Sequence, residues 1–296
     1  MSAEPLISTP IREATGLTPP AFTMPAGACD SHVHVFGPEA DYPHVQSPHY
    51  TLPDGPLPKL EAMCGALGLA RFAIVQPSFY GTDNRCMLDA LDRLGGGAGR
   101  ARGVAMVDED VGDAALADMH ARGVRALRLD LFKRAQWPLA EMAAYIRRCE
   151  AKAKALGWHL QFYTPGYVVR SLIPLFAELQ VDFVIDHMGY MLESDGLTRA
   201  DFDRLLATLQ AGRGWLKLSG PYRIAKDGHY AKLQPLAQAI VATLPDRTVW
   251  GSDWPHIPNG AMDTGMLLNL LAEWVPDEHA RNRILADNPG RLYGFQ

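Results

Sequence analysis

Eight short runs of β-prone residues recur along this chain, and longer amphipathic segments separate them. Strands that alternate with helices form a parallel sheet, because each helix returns the chain to the edge where the previous strand began. Eight such units predict the α/β class and, within it, a single closed (β/α)8 TIM barrel. The predicted strands cover residues 29–36, 71–76, 101–107, 124–131, 158–163, 182–187, 215–219 and 248–252.

The segments between these runs carry apolar residues at the three- and four-residue spacing of amphipathic helices. Helices are predicted over residues 84–94, 113–122, 139–156, 199–210 and 229–244. Four glycines directly before predicted strands indicate left-handed ends of the preceding helices, namely Gly68, Gly123, Gly157 and Gly214. A doubly wound open sheet is the alternative, but the glycine-rich dinucleotide turn is missing after the first predicted strand.

The chain length suits one domain, because 296 residues are close to the roughly 250 residues of an ordinary α/β barrel. We predict an extended arm over residues 1–24 and the barrel over residues 25–296. The formal net charge is −5, and Lys and Arg form no long run. Neither nucleic acid nor a membrane surface is therefore expected as a partner.

Cysteine usage and hydropathy predict where the protein works. The four cysteines are scattered without a CxxC pair, which indicates free thiols in a reducing compartment. No apolar run reaches the roughly 18 residues needed to cross a bilayer. The first 24 residues also lack the apolar core of a signal peptide. We expect a cytoplasmic protein.

Four polar side chains stand at three predicted strands. His32 and His34 are two residues apart, so strand alternation sends both to the same face. His187 ends the sixth strand and Asp253 follows the eighth, at the end where barrel enzymes place catalytic groups. Each has a structural alternative, such as a buried histidine or an aspartate that caps a loop. Their combination at three strand ends favours an active site.

Four segments together resemble the amidohydrolase superfamily, and within it the branch of 2-pyrone-4,6-dicarboxylate lactonase and related lactonases. They are DSHVHVFGP at residues 30–38, GTDNR at 81–85, DHMG at 186–189 and WGSDWPH at 250–256. The resemblance extends from Met24 to the C-terminus. It implies an amidohydrolase-like barrel that hydrolyses a carboxylated lactone, 2-pyrone-4,6-dicarboxylate or a similar compound of aromatic catabolism. It also implies Asp253 as general base and His32, His34 and His187 as catalytic residues.

The metal requirement is open from sequence. Metal-rich superfamily members carry Lys or Glu on strand four and His on strand five, whereas these predicted strands offer Arg128, Asp130 and a terminal Tyr163. His159 begins the fifth strand, at the opposite end, and is expected to be structural. We favour an enzyme that requires no cofactor. The alternative is one divalent ion, zinc or manganese, held by His32, His34, His187 and Asp253.

Arginines near the strand ends indicate an anionic substrate. Arg128 lies within an apolar run, and a buried guanidinium needs an anion, either a substrate carboxylate or Asp130. Arg134 and Arg223 follow strands four and seven, where solvated loop charges are the alternative. The resemblance implies that the substrate is bound by Tyr50, Arg128, Arg134, Tyr163 and Arg223. The expected partner is a small anionic lactone.

Several related activities stay open. A sugar or sulfomuconolactone lactonase, a lactone isomerase and a metal-dependent decarboxylase all fit the same superfamily. A barrel retained as a binding protein is the non-enzymatic alternative. Homo-oligomerisation is also left open by the sequence.

Overall fold

The computed structural model describes residues 7–45, 51–192 and 196–295. All eight predicted strands occur in it and follow one another in chain order through one eight-stranded sheet. The strands are β1 (Cys29–Val33), β2 (Arg71–Val75), β3 (Ala101–Ala105), β4 (Val124–Asp130), β5 (His159–Tyr163), β6 (Phe183–Ile185), β7 (Gly214–Ser219) and β8 (Thr248–Gly251). This strand order, with helices between consecutive strands, is the topology of the (β/α)8 barrel.

Helices alternate with the strands as the spacing of apolar residues predicts. They are α1 (Leu57–Ala66), α2 (Arg85–Arg93), α3 (Asp113–Ala121), α4 (Leu139–Leu156), α5 (Gly166–Phe176), α6 (Arg199–Ala211), α7 (Pro221–Ile224), α8 (Gln234–Thr243), α9 (Thr264–Trp274), α10 (Glu278–Asn282) and α11 (Asn288–Tyr293). Local sequence sets several boundaries. Thr198, for example, caps α6 in a reciprocal capping box with Asp201.

The predicted helix over residues 229–244 begins differently from expectation. Tyr230–Leu233 form a 3-10 turn, and the α-helix starts only at Gln234. The physical reason is Pro235, which has no N–H and would clash with an α-helical turn before it. Proline is tolerated in the first turn of a helix, and α8 places it there.

Three of the four glycines predicted as left-handed positions have that conformation, with φ of 71° at Gly68, 107° at Gly123 and 65° at Gly157. The prediction for Gly214 is wrong, because this residue is the first of β7. A Cβ at Gly214 would lie 2.1 Å from Cδ2 of Leu209. Close packing of α6 on the strand therefore requires glycine here.

Two compact units divide the chain. The first contains residues 1–124 and 251–273, and the second contains residues 125–250 and 274–296. Parallel pairing joins β1, β2 and β3 within the first unit. Parallel pairing likewise joins β4, β5, β6 and β7 within the second, where Asp130 lies opposite Tyr163. Strand residues are largely buried, as expected for a parallel sheet with both faces covered.

The N-terminal arm is hydrogen-bonded to the segment that follows β8. The N–H of Thr9 donates to the carbonyl of Pro258, and the hydroxyl of Thr18 donates to Asp263 at 2.7 Å. Farther along the arm, the N–H of Ala21 donates to Oδ1 of Asn269 at 2.7 Å. The first unit thus contains both the arm and its attachment. The boundary between arm and barrel at residue 24 stays a prediction.

The structure shows the state of the cysteines and the hydropathy of the described helices. All four cysteines are buried free thiols, as the sequence predicts. Over the described ranges, no helix combines the length and apolar character that crossing a bilayer requires.

Candidate active site

The first unit brings His32, His34 and Asp253 together. Oδ1 of Asp253 lies 3.4 Å from Nε2 of His34 and 3.6 Å from Nε2 of His32. All three residues are buried, and the two imidazole rings meet edge to face with centroids 5.1 Å apart. The predicted placement of both histidines on one face is confirmed by this shared neighbour.

Backbone contacts between β1 and the end of β8 position these side chains. Oδ1 of Asp30 accepts hydrogen bonds from the N–H groups of His32, at 3.0 Å, and Ser252, at 2.9 Å. The N–H of Asp253 donates to the carbonyl of His32 at 2.8 Å. Gly251 permits the close approach, because a Cβ there would lie 2.6 Å from Cβ of His32. Asp30 is therefore a buried anchor that holds both strands at the site.

The tautomer of His34 follows from its second contact. Nδ1 lies 2.7 Å from the carbonyl oxygen of Val75, which can only accept, so Nδ1 carries a hydrogen. Nε2 then faces the carboxylate of Asp253, which also only accepts when ionised. A proton or a cation between the two atoms relieves this contact. Asp253 itself has a φ of 66°, a left-handed conformation that aspartate tolerates better than most residues.

This group fits a divalent metal ion. The ligand atoms of His32, His34 and Asp253 lie within 4.8 Å of one another. Imidazole nitrogens with a carboxylate oxygen are a donor set that suits zinc, and the contact from Nδ1 of His34 to a backbone carbonyl is typical of a ligating histidine. The residues could therefore hold one ion.

The second unit holds His187 against Ser219. Nδ1 of His187 lies 2.9 Å from the hydroxyl oxygen of Ser219, and the backbone N–H of His187 donates to the same oxygen at 3.3 Å. Both residues are almost fully buried. Residues 187–190 all have positive φ, between 51° and 70°. Such a run in the left-handed region is uncommon outside glycine and marks a backbone held by its surroundings.

Aromatic rings and one arginine surround the end of β5. The guanidinium of Arg128 lies 4.7 Å from the ring centroid of Tyr163, and Arg128 is only 6% exposed. Phe132 packs on Tyr163 with centroids 4.4 Å apart, and Tyr190 contacts Phe132 at 5.2 Å. The ring of His187 meets Tyr163 edge to face at 5.9 Å. These contacts form an aromatic surface at the end of β5, with the guanidinium of Arg128 in a cation–π contact with it.

Asp186, the residue directly before His187, belongs to a buried ion pair. Nζ of Lys217 lies 3.0 Å from Oδ1 of Asp186, and both side chains are fully buried. The amide of Gln161 donates to Oδ2 of the same carboxylate at 3.1 Å.

His159 is buried against Tyr293, with ring centroids 5.3 Å apart. Desolvation, reinforced by the charge of Lys217, lowers the pKa of His159 to about 3, so this histidine is neutral.

Two further predicted substrate-binding residues, Arg134 and Arg223, lie beside aromatic rings. The guanidinium of Arg134 lies over Tyr145, at 4.4 Å, and donates to the backbone oxygen of Asp130 at 3.0 Å. Arg223 packs its guanidinium 5.3 Å from the ring of Tyr222. Both arginines are partly exposed. Tyr50 lies outside the described residues.

One protein-family model matches nearly the whole chain. The family model described as amidohydrolase matches residues 29–295. This chain belongs to the amidohydrolase family. The resemblance of its motifs to that superfamily is thereby confirmed.

Two enzymes are similar in sequence to this chain over most of its length. A 4-sulfomuconolactone hydrolase from Rhizobium radiobacter is 35% identical to it, over 93% of each chain. A 2-pyrone-4,6-dicarboxylate hydrolase from Comamonas testosteroni is 34% identical, over 93% of this chain and 92% of its own. Among solved structures, a candidate 2-pyrone-4,6-dicarboxylic acid hydrolase from Pseudomonas putida is 31% identical, with a TM-score of 0.79. That match covers 92% of this chain and 99% of the other, and it confirms the (β/α)8 barrel fold.

Several residues around His32, His34 and Asp253 and around His187 and Tyr163 were not predicted from the sequence. Asp30 and Ser219 act on the histidines through hydrogen bonds, and Phe132 and Tyr190 extend the aromatic surface at Tyr163. Asp30 stands two residues before His32, and Ser219 ends the seventh predicted strand. Position at a strand end was the one available signal for Ser219.

Proposed function

We propose that this protein opens the ring of a carboxylated lactone by hydrolysis, with 2-pyrone-4,6-dicarboxylate or a close analogue as substrate. The observation that carries the proposal is the buried carboxylate of Asp253 beside Nε2 of His34 and His32. The names of the two relatives support the substrate class, because each relative acts on a lactone that carries an anionic group. The biological setting proposed is the catabolism of aromatic compounds.

Asp253 is the proposed general base. Its carboxylate takes a proton from water while the water oxygen attacks the lactone carbonyl carbon, and the bond from that carbon to the ring oxygen then breaks. The protonated acid returns its proton to the departing ring oxygen. Positioned proton transfer of this kind contributes about 10²–10⁴-fold to rate. Burial of Asp253 at 1% exposure keeps bulk water from competing for the carboxylate.

The proposed roles of His32, His34 and His187 are to polarise the carbonyl and stabilise the oxyanion that develops on it. Preorganised donors of this kind act strongly in a site that excludes water. In (β/α)8 enzymes, catalytic groups come from the carboxyl ends of several strands and act at one face. On that ground we assign His187, which follows β6, to the same reaction as Asp253, which follows β8.

Arg128 is the proposed principal contact of a substrate carboxylate. Its guanidinium is buried and lies against Tyr163, so the planar fork is held in place for bidentate binding. Arg134, Arg223, Tyr50 and Tyr163 complete the proposed substrate-binding set. Several cations favour a dicarboxylated lactone over a neutral sugar lactone, because a neutral ring would leave their charges uncompensated.

We propose that a metal ion is not required, since three arginines in the substrate-binding set would weaken the attraction of the site for a cation. The alternative is one zinc or manganese ion on His32, His34 and Asp253, with His187 as a further ligand. An ion bound there would supply Lewis-acid polarisation of the lactone carbonyl. Without it, the ring N–H groups of His32, His187 and protonated His34 supply that polarisation.

The proposed location is the cytoplasm, supported by four cysteines that are all free thiols. The proposed partner is a small anionic lactone, with neither nucleic acid nor a membrane as a partner. Measuring the mass of the protein in solution will establish whether it forms homo-oligomers.

A lactone panel tests the proposal. Purified protein is assayed on 2-pyrone-4,6-dicarboxylate, 4-sulfomuconolactone and a neutral sugar lactone, with its metal content measured before and after chelation. We expect ring opening of an anionic lactone, one water added per product, and rates unchanged by chelation. An isomeric lactone product would identify an isomerase, and carbon dioxide release a decarboxylase. Either result, or inactivity on the whole panel, would contradict the proposed hydrolysis. Activity lost on chelation and restored by zinc or manganese would establish the metal-dependent alternative.

A further inference from the structure

A hydroxyl from the neighbouring strand contacts His187 at two of its nitrogens. Ser219 is the last residue of β7, and its hydroxyl oxygen contacts both the ring and the backbone nitrogen of His187. The ring distance, 2.9 Å, is that of an ordinary hydrogen bond. Both residues are 1% exposed, so water does not compete for these groups.

The direction of each hydrogen bond follows from the chemistry of the atoms. A backbone N–H always donates, so the hydroxyl oxygen of Ser219 accepts from His187 N. The hydroxyl hydrogen of a buried serine needs an acceptor of its own. Within the described ranges, Nδ1 of His187 is the acceptor that this hydroxyl contacts. Nδ1 of the neutral ring therefore accepts, and the ring hydrogen resides on Nε2.

We infer that Ser219 is a positioning residue that fixes His187 as the Nε2–H tautomer, so that this ring presents a hydrogen-bond donor to the substrate. The ring of His34 has the opposite tautomer, because its Nδ1–H donates to the carbonyl of Val75. The two histidines thus differ in chemistry. His34 offers a lone pair on Nε2 to a proton or a cation, whereas His187 offers a hydrogen to a carbonyl oxygen.

The backbone around Ser219 prevents the ring from turning. Gly220 has a φ of 55°, and a Cβ there would lie 2.6 Å from Nδ1 of His187. On other sides the ring meets Tyr163 at 5.9 Å and Tyr190 at 5.5 Å, both edge to face. A ring held by packing and by the directional hydrogen bond to Ser219 keeps Nε2 in one orientation, as an oxyanion donor requires.

The consequence rests on the proposed lactone hydrolysis. The Nε2–H of His187 would donate to the lactone carbonyl oxygen and strengthen that bond as negative charge develops on the oxygen.

Nitrogen-15 NMR of the histidine rings tests the tautomer without substrate. Two-bond proton–nitrogen spectra distinguish Nδ1–H from Nε2–H rings, and the His187→Gln variant identifies the signals of His187 among the ten histidines. We expect His187 as Nε2–H in the wild type and a mixture of tautomers in Ser219→Ala. Ser219→Thr retains the hydroxyl and should restore the Nε2–H form. Ser252→Ala, which removes another buried hydroxyl at a strand end, should leave the His187 signals unchanged.

Kinetics give the second readout. In Ser219→Ala we expect kcat to fall about 10- to 100-fold, as for loss of a residue that orients a catalytic histidine, with little change in KM. Ser219→Thr should recover most of this loss. A wild-type His187 with its hydrogen on Nδ1, or a Ser219→Ala protein with unaltered ring signals, would overturn the inference. Because the ring signals need no substrate, a protein inactive on lactones but with the expected tautomer would contradict only the proposed function.

Discussion

Nε2 of His34 lies 3.4 Å from Oδ1 of Asp253, and the two side chains are only 9% and 1% exposed. Val75 fixes the hydrogen of His34 on Nδ1, so its reactive nitrogen always faces the carboxylate. Asp30 fixes the backbone of the same strands. The geometry therefore favours Asp253 as the group that exchanges a proton with water.

Replacing Asp253 by Asn should remove the base and leave the fold intact. Asparagine has the same shape and tolerates the left-handed backbone at this position, where φ is 66°. We expect kcat on the lactone to fall by at least about 10²-fold, the lower range for loss of a general base, with KM within a few-fold of the wild type. Steady-state kinetics and circular dichroism check this. An Asn variant with nearly wild-type kcat would contradict the assignment.

Substrate charge should be recognised through Arg128. Lysine keeps the positive charge but loses the planar fork, so Arg128→Lys should raise KM for a dicarboxylated lactone about 10- to 100-fold, corresponding to loss of about 1.5–3 kcal/mol from a charged hydrogen bond. Arg102→Lys is the matched control. That arginine is also buried, but it donates to the backbone carbonyls of Gly99 and Ala101. Equal KM changes in the two variants would argue against a substrate role for Arg128.

The buried pair of Lys217 and Asp186 should make the fold sensitive to loss of one partner. Lys217→Met leaves the carboxylate of Asp186 buried without its ammonium, at 3.0 Å in the wild type. We expect the free energy of unfolding to fall by about 3–5 kcal/mol, measured by denaturant titration. Adding Asp186→Asn should recover part of that loss. The exposed pair of Lys232 and Asp227 provides the control, and Lys232→Met should change stability little. A double variant less stable than Lys217→Met would contradict this account.

Acid should destabilise the protein partly through His159. Burial lowers its pKa from 6.5 to about 3, so between these pH values the unfolded chain binds a proton that the folded chain does not. The stability from neutral His159 is therefore present above pH 6.5 and is lost as the pH falls towards 3, at up to about 1.4 kcal/mol per pH unit. His159→Phe, which retains a ring against Tyr293, should show a shallower decline from pH 6 to pH 4 in urea titrations. Parallel declines in the two proteins would show that His159 does not contribute.

The fold and the first histidines were predictable because they depend on local patterns. Eight β-prone runs gave the eight strands, and two-residue spacing placed His32 and His34 on one face. Asp30 was missed because its partner Ser252 is 222 residues away, and no local pattern encodes that hydrogen bond. Gly214 was misinterpreted for a similar reason. Its need for a small side chain comes from Leu209 packing on β7 and not from its backbone angle.

The attachment of the N-terminal arm also has a consequence for the order of folding. Thr18 and Asp263 are separated by 245 residues, and the arm's other partners lie on either side of Asp263. During synthesis the arm leaves the ribosome about 245 residues before Asp263 does. The arm therefore cannot dock until these partners have been translated, so its contacts with the segment that follows Asp253 form only after the strands between them have left the ribosome.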